Sequence, residues 1–148
     1  MGSEMCIRDR LKVEQGRNKH PVFTGVQADE NWESRGTLYL TKPEKGTTPL
    51  LWGTGHPRDK KAAVRTNRFG THHLKPEMTD VVAWTWTNKW GGRTFSTSLG
   101  HLNDFGDPNS VRLIINGIFW AADQKVPSAD TKINTFEITS SKKKKKSK

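Results

Sequence analysis

Residues 81–122 constrain the fold most, because strand, turn and helix signals follow one another there without interruption. Residues 81–87 (VVAWTWT) alternate β-branched and aromatic side chains, a pattern typical of half-buried strands. A Gly-Gly pair then supplies the backbone freedom that a chain reversal needs, and residues 93–99 (RTFSTSL) resume the alternation. The stretch predicts an antiparallel β-hairpin, and we expect Trp84 and Trp86, on one face of it, to pack beneath the helix that follows.

A helix is predicted after a short polar corner. Asp107 is a suitable N-cap because its carboxylate can accept a backbone N–H bond, and Pro108 lacks a donor that the first helical turn would leave unpaired. Apolar residues then recur at spacings of three and four, which predicts a helix with a broad buried face. They are Val111, Leu113, Ile114, Ile115, Ile118, Phe119 and Ala122.

Short motifs in a fixed order carry a family resemblance. They are residues 20–22 (HPV), 25–26 (GV), 29–30 (DE), 82–85 (VAWT), 92–95 (GRTF), 98–101 (SLGH) and 116–121 (NGIFWA). Together they resemble the C-terminal half of the ThuA-like (trehalose utilisation) domain family, over about residues 17–122. The resemblance implies an α/β fold: the C-terminal part of a flavodoxin-like (class I glutamine amidotransferase-like) three-layer sandwich, with a β-hairpin followed by a C-terminal helix. It also implies a role in carbohydrate utilisation, with trehalose or a related sugar as the ligand.

Composition and the resemblance divide the chain into three parts. Residues 1–10 (MGSEMCIRDR) lack periodicity and are similar to translated sequencing-adaptor sequence, so we interpret them as a non-native leader. The alternative is an ordinary disordered leader. Residues 11–125 form the partial ThuA-like domain, which we expect to fold poorly without an N-terminal half. Residues 126–148 are a C-terminal extension whose lysine-rich end is typical of disordered segments.

Secondary structure outside the organising stretch is predicted from shorter patterns. Residues 11–17 suggest the end of a helix, residues 36–40 and 48–52 suggest strands, and residues 53–80 suggest a long loop. Residues 132–139 alternate weakly and predict an edge strand.

The net charge of +10 is concentrated in a tail and one loop. Six lysines lie within residues 142–148, and residues 53–75 carry a net charge of +5, so the rest of the chain is about −1. No zinc-finger, helix-turn-helix or aromatic RNA-binding motif accompanies them, so we expect no specific nucleic-acid partner. Binding of a polyanion through the lysine tail is the weakest functional alternative. No apolar run approaches the roughly 18 residues of a membrane span, so no span is predicted.

His101 is the strongest candidate for chemistry. Gly100 permits a sharp bend before it, and the pair follows a strand end, where ligands bind in open α/β sheets. Imidazole can act as an acid, a base or a hydrogen-bond anchor near neutral pH. The alternative is a histidine that ties the corner to a backbone carbonyl.

The family resemblance extends the candidate site to other residues. It implies His101, His20 and Glu30 as catalytic residues, since a carboxylate near an imidazole can orient it or raise its basicity. The ligand-binding candidates are Asp29, Trp90, Arg93 and Gly100. The alternatives are that His20 is a surface turn residue, that the acidic pair is merely solvated, and that Trp90 contacts sugar in a non-enzymatic carbohydrate-binding or scaffold module.

Metal, nucleophile and cofactor motifs give no further candidates. His56, His72 and His73 match no metal-binding spacing, so we predict no metal. No Gly-x-Ser-x-Gly elbow is present. The single cysteine, Cys6, lies in the leader and can form no intrachain disulfide, so it indicates no compartment. We predict no cofactor and a small-molecule carbohydrate as the partner; an exported or periplasmic location is one alternative for the complete protein.

Overall fold

The structure, a computed structural model, describes residues 9–36, 38–39, 41, 43–56, 64–67, 70–73 and 77–138. Its strands are β1 (Asp9–Val13), β2 (Glu33–Ser34), β3 (Thr48–Gly55), β4 (Val64–Asn67), β5 (Gly70–His73), β6 (Met78–Thr87) and β7 (Arg93–Thr97). One α-helix, α1 (Pro108–Ala121), follows them. Two short 3-10 helices complete the described elements: the first spans Pro21–Phe23 and the second spans Leu102–Gly106.

The main sheet is antiparallel throughout, with the strand order β2-β1-β3-β6-β7, and β4 and β5 form a separate hairpin. The protein is therefore α/β, and its β6–β7 hairpin is followed by the C-terminal helix, as predicted. The flavodoxin-like three-layer arrangement is not confirmed. A flavodoxin-like fold has a largely parallel sheet with helices on both faces, and an antiparallel five-stranded sheet is unlike it.

Helix α1 begins where the sequence predicts and packs across the hairpin. The Asp107 carboxylate accepts the backbone N–H of Ser110 at 2.8 Å. A Cβ atom at Gly117 would lie 2.2 Å from the Phe95 ring, so this glycine lets β7 approach the helix closely. Gly117 faces β7 and Asn116 faces the first 3-10 helix, so the two residues that follow them point away from both, and Ile118 is 61% exposed and Phe119 41% exposed. The predicted burial of Ile118 and Phe119 is wrong.

The two hairpin tryptophans lie on the opposite face of the sheet from the helix. Thr85 pairs with Phe95, whose ring meets Gly117, so Thr85 and Phe95 face α1. Trp84 and Trp86 alternate with these positions, and Trp86 is 43% exposed. Our expectation that the tryptophans pack beneath the helix is therefore wrong. Alternation defines two faces of a strand, but it does not say which of them a helix will cover.

Irregular strand pairing adds residues to the core. The register of β3 against β6 shifts twice around Leu51. Such bulges change which way the following side chains point. As a result, two consecutive residues are buried on each strand, Leu50 with Leu51 and Val82 with Ala83. The buried core comprises Leu11, Val22, Phe23, Trp32, Leu38, Leu50, Leu51, Val82, Ala83 and Leu113.

Several short predictions outside the hairpin are wrong. Residues 11–13 belong to strand β1, which also includes Asp9 and Arg10 of the predicted leader. The predicted loop 53–80 contains the end of β3, the β4–β5 hairpin and the start of β6. The described parts of residues 36–40 and 132–139 are not strands. The strands concerned are short, and short patterns do not distinguish strand from other structure unless the pairing partner is known.

Candidate functional site

The corner before the second 3-10 helix is built by a reciprocal cap. The Nδ1 atom of His101 accepts the backbone N–H of Asn103 at 3.2 Å, and the Asp104 carboxylate accepts the backbone N–H of His101 at 2.9 Å. This pair satisfies donors that the start of a helix leaves free. His101 thus holds the corner by accepting a backbone N–H. The alternative to catalysis in the sequence analysis was a bond from the imidazole to a backbone carbonyl. The side chain of His101 is exposed.

Asp104 is the centre of this corner. It is 3% exposed, and its two carboxylate oxygens accept hydrogen bonds from the Ser34 hydroxyl at 3.0 Å and the backbone N–H of Gly100 at 3.1 Å, besides that of His101. A longer bond of 3.4 Å comes from the backbone of Arg35. The carboxylate joins β2 to the second 3-10 helix and has little capacity left for a ligand. Sequence reasoning missed it, although the spacing from His101 to Asp104 is that of a capping box.

His20 caps the first 3-10 helix in the same way. Its Nδ1 atom accepts the backbone N–H of Val22 at 3.4 Å. The ring lies against Trp120, with centroids 5.2 Å apart and planes tilted by 55°. Burial lowers the pKa of His20, and the positive charge of Arg17 lowers it further. No contact between the described residues joins His20 to His101 or to Glu30, so the three predicted catalytic residues are not brought together.

Arg93 lies with His20 and Trp120 near the C-terminal end of α1, and we call this region the Trp120 end. Its guanidinium pairs with Asp123 at 2.7 Å and lies 5.3 Å from the centre of the Trp120 ring. It therefore fastens the hairpin to the end of α1. Trp90, at the hairpin turn, is 80% exposed, with the Lys89 ammonium 4.5 Å from its ring. Neither residue lies near His101.

Two adjoining cavities surround the His101 corner, and we call them together the trough. One, of about 430 Å³, is lined by Ser34, Gly36, Tyr39, Val82, Ser98, Leu99, Gly100, His101 and Leu102. The other, of about 780 Å³, is lined by Asp29, Asn31, Trp32, Glu33, Arg35, Leu102, Asn103, Asp104, Gly106, Asp107, Pro108, Asn109, Glu137 and Ile138. Leu102 lines both. Of the predicted site residues, Gly100 and His101 line the smaller cavity and Asp29 lines the larger one. His20, Glu30, Trp90 and Arg93 line neither cavity.

The trough is rich in hydrogen-bond acceptors and carries exposed apolar surface. Asp29 and Asp107 are partly occupied, because each accepts a backbone N–H, from Asn31 and Ser110 respectively. The side chain of Tyr39 borders the smaller cavity and is 58% exposed. Within the described ranges, no group of three or more histidine, cysteine or acidic residues is arranged to hold a metal ion. The side chains of His72 and His73 lie outside the described residues.

The C-terminal extension contributes one wall of the trough. The Arg112 guanidinium donates to the carbonyls of Ser128 and Thr131, and the backbone N–H of Phe136 donates to Phe105. The rings of Phe136 and Phe105 also stack, with centroids 5.5 Å apart. These contacts bring Glu137 and Ile138 to the larger cavity. No sequence signal indicated the roles of Tyr39, Leu102 or these extension residues, because they depend on packing between distant segments.

Comparison with known proteins adds no identification. No protein-family model matches the chain, and no curated protein or solved structure matches it significantly. Among the helices that the structure describes, none is both long and apolar enough to cross a membrane.

Proposed function

We propose that this protein binds a small carbohydrate, trehalose or a related sugar, in the trough. The observation that carries the proposal is that two cavities share Leu102, with Asp29 lining the larger one and Gly100 and His101 lining the smaller one. Asp29 lies about 70 residues before the Gly100-His101 pair in the sequence. The sequence predicts Asp29 and Gly100 as ligand-binding residues and His101 as a catalytic residue. The ThuA-like resemblance, which implies the same ligand class, is part of the proposal.

The chemistry of the trough suits a polyhydroxylated ligand. A sugar needs hydrogen-bonding partners for its hydroxyl groups, and the walls offer the carboxylates of Glu33 and Glu137 and the hydroxyl of Ser98. It also needs an apolar surface for its C–H groups, which the exposed side chains of Tyr39 and Leu102 supply.

We propose binding without turnover, the non-enzymatic alternative, for the chain as it stands. A general base needs a free ring nitrogen near a second catalytic group. The Nδ1 atom of His101 accepts a backbone N–H in the cap, so in the neutral ring the proton is on Nε2 and neither nitrogen has a free lone pair. The Asp104 carboxylate is used by donors of the protein itself. The flavodoxin-like arrangement that the family implies remains a proposal, and the antiparallel sheet argues against it.

Titration with trehalose, followed by calorimetry, tests the proposal. His101→Asn keeps a side-chain oxygen that can cap the helix, whereas His101→Ala removes the cap and costs about 1 kcal/mol of stability. If the imidazole contacts sugar, both variants weaken binding by roughly five- to tenfold, the equivalent of one hydrogen bond. Only His101→Ala also lowers the melting temperature.

Two aromatic variants provide the matched comparison. Tyr39→Ala removes an exposed ring from the trough, and Trp90→Ala removes an exposed ring from the hairpin turn outside it. We expect Tyr39→Ala to weaken trehalose binding and Trp90→Ala to leave it unchanged. Full affinity in both His101→Asn and Tyr39→Ala would refute the trough as the sugar site.

A further inference from the structure

The face of the main sheet that points away from α1 carries an aromatic and basic surface. We call it the outer face and define it by Lys12, Trp52, Trp84 and Trp86. Lys12 pairs with Trp52 across β1 and β3, and Lys12 alternates with core residues of β1, so both point outward. Trp84 and Trp86 alternate with the residues that face the helix. None of the four lines the trough.

Two of the three tryptophans have a neighbour at the indole nitrogen. The Nε1 atom of Trp52 donates to the Glu14 carboxylate at 2.5 Å. Gly46 lies beside Trp86, since a Cβ atom built on it would be 4.0 Å from the Nε1 atom of Trp86. Trp84 and Trp86 are two residues apart on one strand, which places their Cα atoms about 7 Å apart. Together they form a row of aromatic side chains that is only partly buried, with Trp86 43% exposed.

Positive charge flanks this row. Arg10, which pairs with Thr54, points to the same side as Lys12, and both side chains are exposed. Lys89 lies at the turn of the hairpin, over the ring of Trp90. One acid, Glu14, lies against the row, and its carboxylate is engaged by Trp52. On β3, β6 and β7 the outward positions that pair with these residues are otherwise uncharged.

We propose that the outer face binds single-stranded nucleic acid without sequence preference. Bases stack on tryptophan whatever their identity, and lysine and arginine beside the rings neutralise the phosphates. This combination needs no sequence-reading motif, in agreement with the absence of one from the chain. A neutral polysaccharide would also stack on tryptophan, but it would have no use for the flanking cations. In a duplex the bases stack on one another, so no base face is available to the tryptophan rings.

The first arm of the test compares two exposed aromatic residues on opposite sides of the sheet. Trp86 on the outer face is 43% exposed, and Phe119 on α1 is 41% exposed. The full chain and each variant are titrated into fluorescein-labelled oligothymidylate of about 20 nucleotides, longer than the roughly 4–16 that one small domain covers. We expect Trp86→Ala to weaken binding about tenfold, as the loss of one stacked base would. Phe119→Ala should bind like the wild type, and Trp86→Phe should recover most of the affinity.

The second arm compares two exposed lysines. Lys12 lies on the outer face, and Lys125 follows α1. If Lys12 contacts a phosphate, Lys12→Gln lowers the magnitude of the salt dependence, the slope of log K against log salt, by about 0.7, the value for one contact to a single strand. Lys125→Gln should leave the slope unchanged.

Several results would overturn the proposal. Equal affinities of Trp86→Ala and Phe119→Ala would assign the binding to another part of the chain, such as the lysine tail. Equal affinities for the oligothymidylate and its duplex would exclude base stacking. Trp86-dependent binding of hydroxyethyl cellulose without binding of the oligonucleotide would assign the face to a neutral polysaccharide. A Trp86-dependent dimer in sedimentation would assign it to a second copy of the chain.

Discussion

A histidine lies near each end of α1, and both histidines cap a 3-10 helix. Their surroundings differ. His20 and His101 each cap a 3-10 helix, and each accepts a backbone N–H at its Nδ1 atom. His20 lies against Trp120, and burial lowers its pKa. His101 is exposed at the trough. Local sequence therefore explains the cap in both cases, but only the surroundings decide which ring a ligand can reach.

The supports of the two caps also differ. The His101 corner depends on the buried carboxylate of Asp104, which accepts bonds from three backbone donors and one hydroxyl. The His20 corner depends on the buried amide of Asn116, which donates to the carbonyls of Val22 and Thr24 at 3.0 and 2.9 Å. One support is charged and the other is neutral. The predictions below use this difference, beginning with the largest expected effect.

Asp104→Ala should be the most destabilising change at either corner. It leaves buried donors without an acceptor, and hydrogen bonds to a charged group are each worth about 1.5–3 kcal/mol. We expect a loss of about 3 kcal/mol or more in the free energy of unfolding, measured by urea denaturation. Glu30→Ala, which removes an exposed acid, is the control and should cost less than about 1 kcal/mol. An Asp104 variant as stable as the control would mean that the carboxylate does not hold the corner.

Asn116→Ala should cost less, about 2 kcal/mol, because its bonds are between neutral groups. The change removes both donors that hold the first 3-10 helix against α1. The Oδ1 atom of Asn116 has no hydrogen-bond partner among the described residues, so its loss offsets part of the cost. The measurement is again urea denaturation, with Asn109→Ala as a control at a more exposed amide on the same helix. If Asn116→Ala costs more than Asp104→Ala, the ranking of charged over neutral support is wrong.

Acidification should lower the contribution of His20 to the free energy of unfolding. The pKa of His20 is lowered in the folded protein, first by burial and then by Arg17, relative to an ordinary value of 6.5. The unfolded chain therefore binds a proton more readily than the folded one between the two pKa values. The contribution of His20 to stability is present above about pH 6.5 and is lost as the pH falls through the folded pKa.

The pH effect can be isolated by substitution. His20→Asn keeps a side-chain oxygen that can cap the helix but removes the titrating group. Denaturation midpoints measured above and below pH 6.5 should differ less in this variant than in the wild type. The same pH dependence in both proteins would assign it to another group. This is the smallest of the three effects, because the ring is only partly buried.

The sequence predicted correctly those elements whose turn and capping signals lie within the element itself. The Gly-Gly turn of the hairpin, and Asp107 with Pro108 at the start of α1, appear where expected because these signals act within a few residues. The capping role of His101 belongs to the same class, since His101 and Asp104 are three residues apart. From sequence, His101 is assigned to catalysis or to a bond with a backbone carbonyl, and the cap is neither of these.

The arrangement of those elements was not predictable in the same way. Strand β1 was interpreted as a helix end, since its apolar residues become strand-like only through pairing with β3. Trp84 and Trp86 were assigned to the wrong side of the sheet, since Gly117 and Phe95 decide which face the helix covers. In the candidate site, Gly100, His101 and Asp29 were predicted, but Tyr39 and Glu137 reach the trough through segments with no motif.

The sequence by itself determined the hairpin, the helix and the tight corner between them, because turns, caps and alternation are local properties of the backbone. Tertiary structure decided the antiparallel order of the sheet, the exposure of the tryptophans and the division of the candidate residues between the trough and the Trp120 end. Those outcomes depend on which distant surfaces bury one another. Burial is the dominant favourable term in folding, and no local pattern specifies which surfaces it will bring together.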